Sequence, residues 1–164
     1  MGKNSTKCAG NVFYDARYNA SSCNDRLGSR EGASEETGID RTRIARIETG
    51  TLDPYPDEVI LMGCIYNAPE LENKYCSTVC PIGKKKVPVL ELNNADRAVL
   101  NFMAAYIDLK RGEGEIEDLV VHAAELGTIS ENAMPTLRRI MERASALSVR
   151  TQELVLWSEK NKTK

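Results

Sequence analysis

Apolar residues recur at three- and four-residue steps through most of the chain, the period of helices that bury one face. Val12, Phe13, Ala16, Ala20, Cys23 and Leu27 form one such stripe and predict a helix over 12–27. Ser29 suits an N-cap, a short helix follows over 30–37, and Gly38 closes it as a residue able to take positive φ. Asp40 caps a helix over 41–49 that stops at Gly50. Asp53-Pro54-Tyr55-Pro56 reads as a turn, after which Asp57 is expected to cap a helix reaching Tyr66. The stripe Val59, Ile60, Met62, Gly63 and Cys64 is nearly continuous, which predicts burial of that helix. Asn67-Ala68-Pro69 opens a fifth helix over 70–79.

The pattern then changes. Cys80-Pro81-Ile82-Gly83-Lys84-Lys85-Lys86-Val87-Pro88 reads as a linker, and 87–92 alternates as a short extended segment would. Three further helices are expected: one over 95–109, one over 115–126 closed by Gly127, and a long one with Pro135 in its first turn. In the last, Leu137, Ile140, Met141, Ala144, Leu147, Leu154 and Trp157 form a heptad-like seam that could face neighbouring helices or a second subunit. The expected architecture is all-α. Residues 1–10 are small and polar and expected to fray, 11–80 form a five-helix domain, 81–93 a linker, and 94–164 a three-helix region that could dimerise.

Composition narrows the class. The chain has 164 residues, 41% hydrophobic and 28% charged, which fits a folded protein rather than a disordered one. Residues 1–20 hold no apolar leader and no 18-residue apolar run exists, so a cytoplasmic protein without a membrane partner is expected. The single histidine, His122, rules out triad and HExxH chemistry, and Gly112-Glu113-Gly114 lacks phosphate-loop spacing, so no enzyme is expected. A net charge of −2 argues against coating nucleic acid by bulk charge, yet positive charge can be local. Residues up to 86 carry 12 basic and 12 acidic side chains, while 41–47 alone hold three arginines and no acid.

That cluster sits on the second helix of a helix, a three-residue turn Gly38-Ile39-Asp40 and a second helix. At 100° per residue, Ile44, Ile47 and Glu48 point one way and Thr42 and Arg46 the other, with Arg41 and Arg43 on the flanks. Such a face suits the major groove. Arg46 could pair with a guanine and the Thr42 methyl could meet a thymine methyl, while helix N-terminus and flanking arginines take phosphates. The plainer alternative is a salt-bridged surface helix, since Glu31, Glu35, Glu36 and Glu48 could pair with these arginines. Lys84-Lys85-Lys86 could add backbone contact or merely solvate the linker.

The run Ile44-Ala45-Arg46-Ile47-Glu48-Thr49-Gly50-Thr51-Leu52-Asp53-Pro54 resembles the I-x-R-I-E-x-G-x-x-x-P signature of the XRE helix-turn-helix regulators, themselves similar to phage repressor and Cro proteins. The likeness covers about residues 12–80 and implies a repressor-like five-helix domain that binds double-stranded DNA. It implies base contacts from Arg41, Thr42 and Arg46, phosphate contact from Arg30 where the family usually has Gln, and backbone approach by Thr49 and Thr51. It implies for Glu48 a buried structural pairing. The family usually has Leu-Ala where this chain has Ala33-Ser34, and Gly32 should weaken that helix by about 1 kcal/mol relative to Ala. Asn11-Val12-Phe13-Tyr14-Asp15-Ala16-Arg17, Tyr66-Asn67-Ala68-Pro69-Glu70-Leu71 and Cys80-Pro81-Ile82-Gly83 look like a group of such proteins from clostridial bacteria and their mobile elements, which share a helical tail.

Five cysteines, an odd number, argue against a disulfide framework. Cys76 and Cys80 lie on one helical face, and with Cys8 and Cys23 could supply four thiolates for zinc or an iron–sulfur cluster. The alternative makes Cys23 and Cys64 small core residues and the others free thiols, and no cofactor is the expected state. The expected function is a DNA-binding transcriptional regulator acting as a homodimer. Two further readings are a protein-interaction module, antitoxin-like or a phage-encoded adaptor, with a partner on the C-terminal helices, and a cysteine-based metal or redox sensor.

Overall fold

A computed structural model describes Cys8 and residues 10–162, so the expected fraying of 1–10 falls almost wholly outside the described residues. These contain nine α-helices and no β-strand, and the fold is all-α. Two compact units meet in the chain between Val89 and Leu90.

The first unit holds α1 (Val12–Ala20), α2 (Arg30–Thr37), α3 (Arg41–Glu48), α4 (Pro56–Ile65), α5 (Glu70–Thr78) and α6 (Gly83–Lys86). Asn11 caps α1 by accepting from the N–H groups of Phe13 and Tyr14, while its own Nδ2 donates to the Ile47 carbonyl at 3.0 Å and so ties α1 to α3. Helix α1 stops at Ala20, well short of the predicted end. The Ser21 and Ser22 hydroxyls turn back onto the Tyr18 and Asn19 carbonyls, at 2.6 and 2.8 Å, and compete with helix propagation. Asn24 then caps a 3-10 turn, Asp25–Gly28, that delivers Leu27 to the core and leaves Cys23 exposed.

The core gathers Phe13, Ala16, Leu27, Ala33, Ile44, Ile47, Val59, Met62 and Leu71 from every helix of this unit up to α5. Gly32 has a stricter reason than weakness. A Cβ there would sit 2.1 Å from the Arg26 carbonyl oxygen, so the 3-10 turn packs directly on the α2 backbone and needs a residue without a side chain. Ala33, next to it, is fully buried.

Three expectations change in the rest of this unit. Helix α4 begins at Pro56, and its first turn is closed by the Glu58 carboxylate accepting from the Tyr55 N–H at 2.7 Å, not by Asp57. Val59, Met62 and Gly63 are buried, but Ile60 and Cys64 are exposed, because a helix on a small domain has only one inner face. The expected linker carries α6, whose Gly83 approaches the α5 backbone so closely that a Cβ would lie 2.0 Å from the Cys76 carbonyl oxygen. Residues 87–92 form no strand, and the Pro88 carbonyl accepts instead from Asn73 Nδ2 at 2.9 Å.

The second unit holds α7 (Ala95–Arg111), α8 (Glu113–Leu126) and α9 (Met134–Asn161). Asn94 caps α7, Gly127 closes α8 at φ 67°, and Pro135 lies in the first turn of α9. Helices α7 and α9 pack along each other. The apolar seam expected on α9 is only partly inward: Leu137, Ile140, Leu147, Leu154 and Trp157 are half-buried, while Met141 and Ala144 are exposed. Polar side chains share its inner face. Arg143 lies 3.6 Å from Asp108 and 3.5 Å from Glu115, and buried Glu153 accepts from Arg150 at 2.9 Å and from the Glu91 N–H. Among the described residues no helix is long and apolar enough to cross a membrane.

Candidate functional site

Helix α3 is started by Asp40, whose carboxylate accepts from the Thr42 and Arg43 N–H groups at 2.9 and 3.1 Å. Helix α2 ends at Gly38, which takes φ 72°, so a short turn separates the two helices. Ile44, Ile47 and Glu48 face inward and are buried, whereas Thr42 and Arg46 are exposed on the other side, as the helical period predicts.

The orientation of α3 is held by charge as well as apolar contact. Glu48 is 2% exposed and receives Arg17 Nε at 2.5 Å, Arg17 Nη2 at 3.2 Å and Arg30 Nε at 2.7 Å. Arg17, also buried, donates its remaining nitrogen to the Leu27 carbonyl at 2.7 Å. The pairing implied for Glu48 therefore links α1, α2 and α3. Burial works against the Arg30 charge, but the hydrogen bond and charge of Glu48 outweigh it and raise its pKa. Arg30 also donates to buried Cys8 Sγ at 3.4 Å.

Arg43 forms the second lock. Its guanidinium donates to both Glu58 oxygens, Nη2 at 2.8 Å, and lies 4.1 Å above the Tyr55 ring. Neither Tyr55 nor Glu58 is a candidate from the sequence: Glu58 at the third helical position supplies one half of a capping box, but Tyr55 lacks the short hydroxyl that would complete the signal. The hydrogen bond from Arg43 lowers the Glu58 pKa, with burial opposing it. A lowered folded-state value means that the pair stabilises above the ordinary glutamate range and loses its contribution as pH falls through the folded value. Glu58→Gln is expected to remove about 2 kcal/mol at neutral pH and to flatten the acid limb of a melting-temperature profile as pH falls through and below the ordinary glutamate range; an unchanged acid limb would contradict this assignment.

The remaining candidates lie around the exposed face. Arg41 pairs with Glu31 at 2.9 Å with both side chains open to solvent. Arg46 has no side-chain ion pair or hydrogen bond among the described residues, while its carbonyl accepts from the hydroxyls of Thr49 and Thr51 at 3.1 Å and from the Thr51 N–H. Those two threonines are exposed and bind each other at 3.1 Å, so they finish α3 while staying at the surface. The local triple positive charge is thus reduced: Arg41 and Arg43 face carboxylates and Arg46 does not. Lys84, Lys85 and Lys86 are exposed on α6, and His122 is exposed on α8.

The cysteines do not converge. Cys8 is buried against Arg30, Cys76 and Cys80 are half-buried near α6, and Cys23 and Cys64 are exposed rather than in the core, since neither lies on an inward face. Among the described residues no three His, Cys, Asp or Glu side chains gather as a metal-holding group. No family model, curated protein or solved structure matches the chain.

Proposed function

We propose that the chain is a sequence-specific DNA-binding transcriptional regulator that reads the major groove with α3 and acts as a homodimer through its second unit. The observation that carries this reading is the outer face of α3, where Thr42 and Arg46 stand one turn apart in solvent and Arg46 has no acidic partner among the described residues. Arg46 supplies a planar fork for guanine and Thr42 a methyl and hydroxyl for the next base. Arg41 exchanges an exposed glutamate for a phosphate at little cost, because exposed ion pairs contribute about 1 kcal/mol or less. Thr49 and Thr51 approach the backbone from the end of the helix. Arg30 and Arg43, both committed to glutamates, act as positioning residues that hold α3 against its neighbours. The likeness of 44–54 to the XRE signature supports the same reading.

The test begins with selection of bound duplexes from random DNA. Arg46→Ala is expected to weaken the selected site by about 10- to 100-fold and to relax preference at one guanine. Arg41→Ala is expected to weaken all sequences alike and to reduce the salt slope by about 1. Negligible, salt-insensitive affinity of the unaltered chain overturns the reading. Exposed Ile60 and Leu61 on α4 favour one other reading, a protein-interaction module. It gains if the chain ignores DNA and a single protein partner is lost on changing Ile60 to Asp.

A further inference from the structure

The second unit buries little apolar surface by itself. Its buried hydrophobic residues, among the described ones, are Ala98 and Leu156, and the large buried cluster belongs entirely to the first unit. Helix α7 turns one side to α9 and leaves the other in solvent. On that outer side Val99, Leu100, Met103, Tyr106 and Ile107 are all exposed, Leu100 at 65%. A three-helix unit with so little buried apolar area and a continuous apolar stripe on its surface needs a cover for that stripe.

The order of residues along the stripe says what the cover is. All of its members lie within about 60° of Met103 around the helix axis. Reversing the helix about Met103 exchanges Val99 with Ile107, Leu100 with Tyr106 and Asp96 with Lys110. A second α7, antiparallel and related by a two-fold axis through Met103, therefore sets apolar against apolar along the whole stripe and an acid against a base at each end. In a parallel pair Asp96 would meet Asp96 and Lys110 would meet Lys110. Both charged residues are exposed and carry no ion pair among the described residues. They lie about 21 Å apart along one helix, so they cannot pair within a chain.

We infer that the chain self-associates through an antiparallel α7–α7 contact centred on Met103, with Asp96 of each copy opposite Lys110 of the other. This deepens the homodimer part of the proposed function and rests on that part alone. It assigns the interface to the outer face of α7, not to the seam expected on α9.

The test measures self-association of the full chain by sedimentation equilibrium, in reducing buffer and without DNA, over a concentration series. The unaltered chain is expected to form a dimer. Asp96→Lys alone and Lys110→Asp alone each place like charges opposite each other at both ends of the contact, and each is expected to weaken dimerisation roughly tenfold at low salt. The double change D96K/K110D restores opposite charges and is expected to bring the affinity back to within about threefold of the unaltered chain, with all differences shrinking at high salt. Both sites are on the surface, and unchanged helical circular dichroism confirms folding of each variant. A chain that stays monomeric, single changes without effect, or a double change without rescue each overturns the assignment, the last by placing the interface elsewhere. A chain that dimerises in this way but ignores DNA overturns the DNA reading and leaves the interface standing.

Discussion

Glu48→Gln is expected to destabilise the first unit by about 3–5 kcal/mol, most of the stability of a small domain. The carboxylate is 2% exposed and receives three guanidinium hydrogen bonds, two from Arg17 and one from Arg30. Arg17 is itself 3% exposed, so removing the acid leaves a buried cation whose other partners among the described residues are the Leu27 carbonyl and the face of the Tyr14 ring. Glutamine keeps the shape and one acceptor oxygen but removes the negative charge, which isolates electrostatics from packing. Urea unfolding followed by circular dichroism measures the loss, read on the transition of this unit because the chain has two units. A second arm sharpens it. Changing Arg17 and Glu48 together to Met is expected to cost less than the sum of the single changes, since the penalty comes from an orphaned charge rather than from a missing attraction. A loss below about 1 kcal/mol for Glu48→Gln would show that water compensates the arginines and that the cluster does not hold α3 in place. If the cluster does hold it and the proposed DNA reading is right, the variant should also lose DNA affinity at temperatures where it is still mostly folded.

The second large effect has the opposite sign to the one that helix propensity alone suggests. Gly32→Ala in an isolated helix would gain about 1 kcal/mol. In this fold the new Cβ would stand 2.1 Å from the Arg26 carbonyl oxygen and 2.8 Å from its carbon, both backbone atoms that no rotamer change can move aside. The 3-10 turn must withdraw from α2, and Leu27, 1% exposed between them, must follow. The expected loss is about 3 kcal/mol, at the upper end of ordinary overpacking because the neighbour is backbone rather than side chain. Glu35→Ala, on the exposed side of the same helix, serves as the control and should stay within about 0.5 kcal/mol of the unaltered chain. Equal melting temperatures for Gly32→Ala and the unaltered protein would mean that the turn does not pack on the helix.

Both effects turn on residues whose importance was legible to different degrees. Glu48 falls on the inward face of α3 by simple periodicity, and its resemblance to a family's structural acid implied a buried partner. Which arginines answer it was not legible, because Arg17 and Arg30 come from other helices and reach it only after those helices pack. Gly32 read as a defect, since the crossing backbone of Arg26 belongs to a 3-10 turn that the apolar stripe over 12–27 had disguised as helix. Arg43 counted toward a positive recognition face and proves to be locked by Glu58 and Tyr55. Among the arginines of α3, Arg46 alone has no side-chain ion pair or hydrogen bond among the described residues, as its position on the outer face implied.

The sequence by itself determined the helical class, the caps at Ser29 and Asp40, the stops at Gly38, Gly50 and Gly127, and the inward face of α3. These depend on contacts within one turn, where a side chain meets the N–H groups two or three residues away and apolar spacing sets one face. The tertiary structure decided that Ile60, Cys64, Met141 and Cys23 face solvent, that Gly32 meets the backbone of Arg26, and how the charge of Arg30, Arg41 and Arg43 is answered. Those outcomes depend on segments far apart in the chain coming within a few ångströms of each other, which no local pattern encodes. For the same reason a nearly neutral protein keeps on the outer face of α3 one arginine, Arg46, with no side-chain ion pair or hydrogen bond among the described residues.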